Sequence, residues 1–71
     1  MVRAKFYCVS NEGEDTSTII LRPVVSGSEE NALFYKYTPG GQVELSIVNP
    51  DAAKQFEVGK EYYVDFAPAQ E

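Results

Sequence analysis

The sequence predicts a mainly β domain: a small antiparallel five-stranded twisted sheet or open barrel, with one short helix before the last strand. Three observations predict it. Apolar and polar residues alternate with period two over 2–10, 42–48 and 61–67, as half-buried strands require. Turn chemistry separates these runs, with Gly13 inside 11–15, Pro39-Gly40-Gly41, and Gly59. A length of 71 residues leaves room for a single domain over 1–71 with one small core.

In the first strand Val2, Ala4, Phe6 and Cys8 share one face, and Arg3, Lys5 and Tyr7 share the other. Cys8 falls in the apolar phase and reads as a small core residue, since neither a cation nor a helix N-terminus adjoins it to make a reactive thiol. Residues 11–15 form a polar turn. Residues 16–25, rich in Thr, Ile and Val, suit a pleated surface and complete a hairpin. Pro23 has no N–H, which places it at a sheet edge or a bulge. Ser28 before Glu29, Glu30 and Asn31 resembles a helix start a turn or two long, with a hydroxyl acceptor ahead of acidic first-turn residues. Residues 34–38 then return to aromatic, strand-like composition. In 42–48, Val43, Leu45 and Ile47 share a face. Asn49 as cap and Pro50 at the first helical position open a short helix through Phe56, expected to cover one open end of the core. Gly59 closes that segment. The final strand alternates Tyr62, Val64 and Phe66 against Tyr63 and Asp65.

Composition excludes several function classes. Six basic against eleven acidic residues give a formal charge of −5. Long nucleic acids are held by neutralising many phosphates, so neither they nor anionic membranes are expected partners. A small phosphorylated ligand needs only a cation or two and some backbone N–H groups, and stays open. No apolar run approaches the ~20 residues of a membrane span, and no basic stretch leads into an apolar one as in a secretory signal. Histidine is absent and cysteine occurs once, so there is neither an imidazole base nor a zinc ligand set. The acidic pairs Glu14–Asp15 and Glu29–Glu30 read as solvated turn residues. No enzyme, metal or cofactor is expected. Lacking a disulfide or metal staple, so small a core turns to oligomerisation, and the lone thiol indicates a reducing compartment.

The densest chemistry lies between 26 and 41. Phe34, Tyr35 and Tyr37 surround Lys36, and strand alternation would turn Tyr35 and Tyr37 one way and Phe34 and Lys36 the other. Tyrosine faces suit purine bases, at ~1–3 kcal/mol per stacked base. The other reading makes these aromatics the core of a small β domain with Lys36 exposed. Tyr7, Tyr62 and Tyr63 either line a pocket or stand at a subunit interface. Arg22 reaches either a phosphate or a neighbouring carboxylate.

Ser26-Gly27-Ser28-Glu29-Glu30-Asn31, then Tyr37-Thr38-Pro39, Asn49-Pro50 and Gly59-Lys60-Glu61-Tyr62-Tyr63-Val64-Asp65-Phe66 resemble a family of very small tailed-bacteriophage proteins, over about 22–69. In size and final strand the chain is similar to the phage anti-CBASS nucleotide sponges. That resemblance implies an immune-evasion protein of the host bacterial cytoplasm. It would bind cyclic dinucleotides such as cyclic GMP–AMP without cleaving them, as a homo-oligomer, a tetramer in that family. Recognition would then come from rings at Phe34, Tyr35 or Tyr37, cations at Lys36 or Arg22, and polar contacts from Ser28, Glu30, Asn31 and Thr38. Three alternatives compete: a virion or assembly component without a ligand, a single-stranded nucleic-acid module, against which the −5 charge argues, and an acidic inhibitor of a host enzyme.

Overall fold

β1 (Val2–Glu12) and β2 (Ser17–Pro23) form the hairpin at the centre of the molecule, in a computed structural model that describes residues 2–25, 27–36 and 40–70. α1 (Glu29–Tyr35), β3 (Val43–Ile47), α2 (Pro50–Ala53) and β4 (Glu61–Phe66) follow. All four strands join one antiparallel sheet in the order β3-β2-β1-β4, curled into a half-barrel. Both helices pack over the same face, giving a slab of 38 × 35 × 16 Å. Among the described residues no helix is long and apolar enough to cross a membrane.

The hairpin turn depends on Gly13. Its φ of +132° suits glycine, and a Cβ there would stand 1.9 Å from the Thr16 carbonyl oxygen. Register within the hairpin slips once, between Cys8 and Ser10, where Val9 is the extra residue of a β-bulge. The bulge reverses the phase of the strand. Before it, Ala4, Phe6 and Cys8 face the core; after it, Asn11 stands opposite buried Ile19. Asn11 there donates to the carbonyls of Ala53 (2.9 Å), the last residue of α2, and of Phe56 (2.7 Å), tying the segment after α2 to β1.

Ala4, Phe6, Cys8, Ile19, Leu21 and Ala53 form the buried core, ringed by Tyr35, Val43, Ile47, Phe56, Tyr62 and Val64. Cys8 is a core residue, 1% exposed, its thiol donating to the Ser10 carbonyl at 3.4 Å. α2 begins as its residues dictate: the Asn49 side chain accepts from the Asp51 N–H at 3.0 Å, and Pro50 follows. The Tyr62 hydroxyl accepts from the Glu57 N–H and donates to the Gln55 carbonyl, both at 2.8 Å, pinning the loop between α2 and β4.

Three expectations are corrected. The sheet has four strands rather than five, because Phe34 and Tyr35 lie in α1 instead of opening a strand; Tyr37 and Thr38 lie outside the described residues. Two helices are present rather than one. Pro23 belongs to neither an edge strand nor a bulge; it is the buried last residue of the inner strand β2, beyond the end of β3, where the side its nitrogen faces is locally open. Its nitrogen is tolerated there because it faces β3, which has already ended at Val43 opposite Leu21.

Candidate functional site

α1 supplies most of the residues singled out from the sequence. Ser28 caps it, accepting from the Asn31 N–H at 3.2 Å and donating to Glu30 at 3.1 Å. Glu29 and Glu30 complement the positive end of the helix. Lys36, at φ 73°, ends it with its N–H on the Ala32 carbonyl. Asn31 and Tyr35, four residues apart, share the face turned to the sheet. Leu33 and Phe34 are left at the surface, 88% and 42% exposed.

Asn31 is the buried polar residue of the described chain, at 3% exposure. Its Oδ1 accepts from the Lys5 N–H at 2.6 Å, and its Nδ2 donates to the carbonyls of Lys5 (2.7 Å) and Val24 (2.8 Å). The side-chain amide takes the place of a strand where β2 peels away from β1. Both amide protons are consumed inside the fold, so Asn31 locks α1 to the sheet and offers nothing to a ligand. Tyr35 packs on the core, half-buried, with its hydroxyl pKa pushed up by burial.

Phe34 turns the other way. It meets Tyr35 edge-on at 4.8 Å and stacks parallel on Phe66 at 5.9 Å. The strand-like alternation expected for 34–36 is therefore replaced by a helical arrangement. Glu30, Leu33 and Phe34 of α1 join Val2 and Arg3 of β1 around a cleft of about 280 Å³. Arg3 is held by Asp65 through two hydrogen bonds, 2.6 Å from Nε and 3.1 Å from Nη2. Those bonds hold the Asp65 carboxyl below its ordinary range and raise the Arg3 guanidinium. Two of the five guanidinium N–H groups are thereby used. One ring, one guanidinium and one carboxylate thus border a single space.

No protein-family model, curated protein or solved structure matches this chain.

Arg22 is separated from α1. It stands opposite Tyr7 on the face of the sheet away from the core, exposed and without an ion pair among the described residues. The same face carries Tyr63, with the Arg3 guanidinium 4.8 Å and the Lys5 ammonium 5.4 Å from its ring centre. Lys5, Glu61, Tyr62 and Tyr63 border a shallower hollow of about 190 Å³, where Lys5 pairs with Glu61 at 3.7 Å. Of the nine residues singled out, the fold brings Glu30 and Phe34 to one cleft. Ser28, Asn31 and Tyr35 build the helix that carries them, and Lys36 ends it. Arg22 lies elsewhere, and Tyr37 and Thr38 lie outside the described residues. Sequence reasoning passed over Arg3, because an arginine in the polar phase of a strand looks like ordinary solvated surface. Its signal was Asp65 in the polar phase of the last strand, an ion pair that forms only once β1 and β4 are known to pair.

Proposed function

We propose that this chain is a non-catalytic binder that sequesters a cyclic dinucleotide of the cyclic GMP–AMP type, one nucleotide unit resting in the cleft between α1 and the start of β1. The observation that carries the reading is the convergence of Phe34, Arg3 and Glu30 on one space. A base stacks on the exposed face of Phe34, the remaining N–H groups of Arg3 meet a phosphate, and Glu30 accepts from the polar edge of the base. The cleft, at about 280 Å³, is near the small end of ligand pockets, roughly 300–1,000 Å³, which suits one unit rather than a whole dinucleotide. Sequestration asks for affinity and abundance alone, since bound ligand is withdrawn by mass action. The resemblance to phage nucleotide sponges supplies the ligand class and the biological role, the interception of a host immune signal.

Thermal-shift measurements against a panel of cyclic di- and trinucleotides test the proposal, followed by heat release and chromatography of the ligand. A shift of several degrees with intact ligand recovered is expected. Phe34→Ala and Glu30→Gln reduce that shift, whereas Arg22→Gln, opposite Tyr7 and outside the cleft, preserves it. Cleaved ligand, or no shift across the panel, overturns the reading.

A further inference from the structure

We infer that the outer edge of β4 is the place where a second copy of this chain adds, strand against strand, so that two four-stranded sheets become one continuous eight-stranded antiparallel sheet. This inference does not depend on the ligand.

β4 ends the sheet, and among the described residues no strand pairs with its outer edge. The direction of its peptide groups follows from β1. The Cys8 N–H and C=O bond Lys60 and Gly59 on the β4 side, while those of Lys5 bond Asn31 and Val24 on the β2 side. Lys5 and Tyr63 are therefore a non-hydrogen-bonded pair. The N–H and C=O groups of Glu61, Tyr63 and Asp65 point away from the sheet. Several of the usual means of blunting such an edge are missing: β4 contains no proline, its pairing with β1 runs without a break from Glu61 to Phe66, and its charges, Glu61 and Asp65, lie on the face away from the core while its core-facing side chains carry none. Beside the edge lies an apolar patch of Val2, Leu33, Phe34 and Phe66, exposed by 50%, 88%, 42% and 47%.

Charge and size choose the register. With a two-fold axis at Tyr63, Glu61 would face the partner's Asp65, like against like. With the axis at Tyr62, Val64 would face the partner's Lys60 and Phe66 would stay uncovered. With the axis at Val64, Tyr62 packs against the partner's Phe66 and Val64 against the partner's Val64. On the other face Tyr63 lies beside the partner's Asp65, and acids no longer oppose. Arg3 and Lys5 then flank the joined tyrosines and aspartates from both sides. The two-fold contact is self-complementary, as an isologous dimer requires.

Sedimentation and light scattering of the purified chain are expected to give about twice its 7.9 kDa mass. Tyr63→Pro removes an outward N–H and leaves the β1–β4 ladder intact; it is expected to yield a folded monomer, while Tyr63→Ala stays dimeric. Val64→Cys places two thiols at a non-hydrogen-bonded pair, about 4.5 Å between Cα atoms, within disulfide reach. Air oxidation should link it into a covalent dimer, and should not link Glu61→Cys. A wild-type monomer at 100-micromolar-scale concentration, a Tyr63→Pro dimer, or equal linking of the two cysteine variants overturns the inference, as does an edge filled by another protein's peptide. If Tyr63→Pro loses its circular dichroism, the cysteine pair decides. Ligand binding by a monomeric chain would sink the dimer and leave the ligand reading standing.

Discussion

Replacing Asn31 by alanine removes three hydrogen bonds at the point where α1 meets the sheet. The Lys5 carbonyl keeps a partner in the Val24 N–H at 3.1 Å. The Lys5 N–H and the Val24 carbonyl lose theirs. At ~1–3 kcal/mol for each unsatisfied buried group, the cost is ~2–6 kcal/mol, and the better helix propensity of alanine returns less than ~0.7 kcal/mol. A domain of this length holds roughly 4–10 kcal/mol in total, so the variant forfeits about half of it. At ~4–8 °C per kcal/mol for a domain this small, a loss of ~4 kcal/mol, the middle of the ~2–6 kcal/mol range, should lower the melting temperature by ~16–32 °C. Urea unfolding followed by far-ultraviolet circular dichroism measures the loss. Asn31→Asp is the discriminating companion. It retains the acceptor for the Lys5 N–H but sets an oxygen against two carbonyls where the amide donated. At neutral pH it should be at least as unstable as alanine. Facing carbonyls raises the folded-state pKa of this new acid above its unfolded value, so stability returns as the pH falls and is lost as it rises. An alanine variant within ~0.5 kcal/mol of wild type would refute the reasoning and free Asn31 for another role.

Gly13→Ala should cost ~1–3 kcal/mol or remodel the hairpin, since φ +132° and the Thr16 carbonyl both oppose a Cβ; denaturant midpoints read it. Arg3 holds the Asp65 carboxyl below its ordinary value of 3.8, so the stability from this pair is present above that pH and disappears as the pH falls through the depressed value. An acid titration of stability should show this limb in wild type and lose it in Arg3→Gln. Burial raises the Tyr35 hydroxyl, so its contribution is intact below the ordinary pKa of 10.0 and lost as the pH climbs through the raised folded value. Ultraviolet titration should find a tyrosine that ionises late, absent in Tyr35→Phe. Tyr62→Phe should destabilise by ~1–2 kcal/mol, because the Glu57 N–H and Gln55 carbonyl both lose a partner.

Local rules carried much of the fold. Alternation in Val2, Ala4, Phe6 and Cys8 marked a core face, and the caps Ser28 and Asn49 stand where helices begin. These signals are legible because each depends on neighbours a few residues away. The bulge at Val9 was not: nothing in its residues announces an unpaired position, and it carries Asn11 onto the core side. The aromatic run at 34–35 favoured a strand by propensity. Tertiary bonds favour the helix instead, since from α1 Asn31 reaches Lys5 and Val24 and Tyr35 packs on the core.

The candidate site divides along the same line. That rings and carboxylates crowd residues 28–36 is a property of the chain. Which cation joins them depends on strand order, and β1 pairing with β4 fixes Arg3 beside α1 while β2 leaves Arg22 opposite Tyr7, four residues along β1 from Arg3. The sequence by itself determined the antiparallel β character, the helix starts and the apolar faces, since those follow from backbone geometry and nearest neighbours. Tertiary structure alone decided the strand order, the lock at Asn31 and the partners of Phe34, since those join groups far apart in the chain, whose meeting depends on how the whole sheet closes.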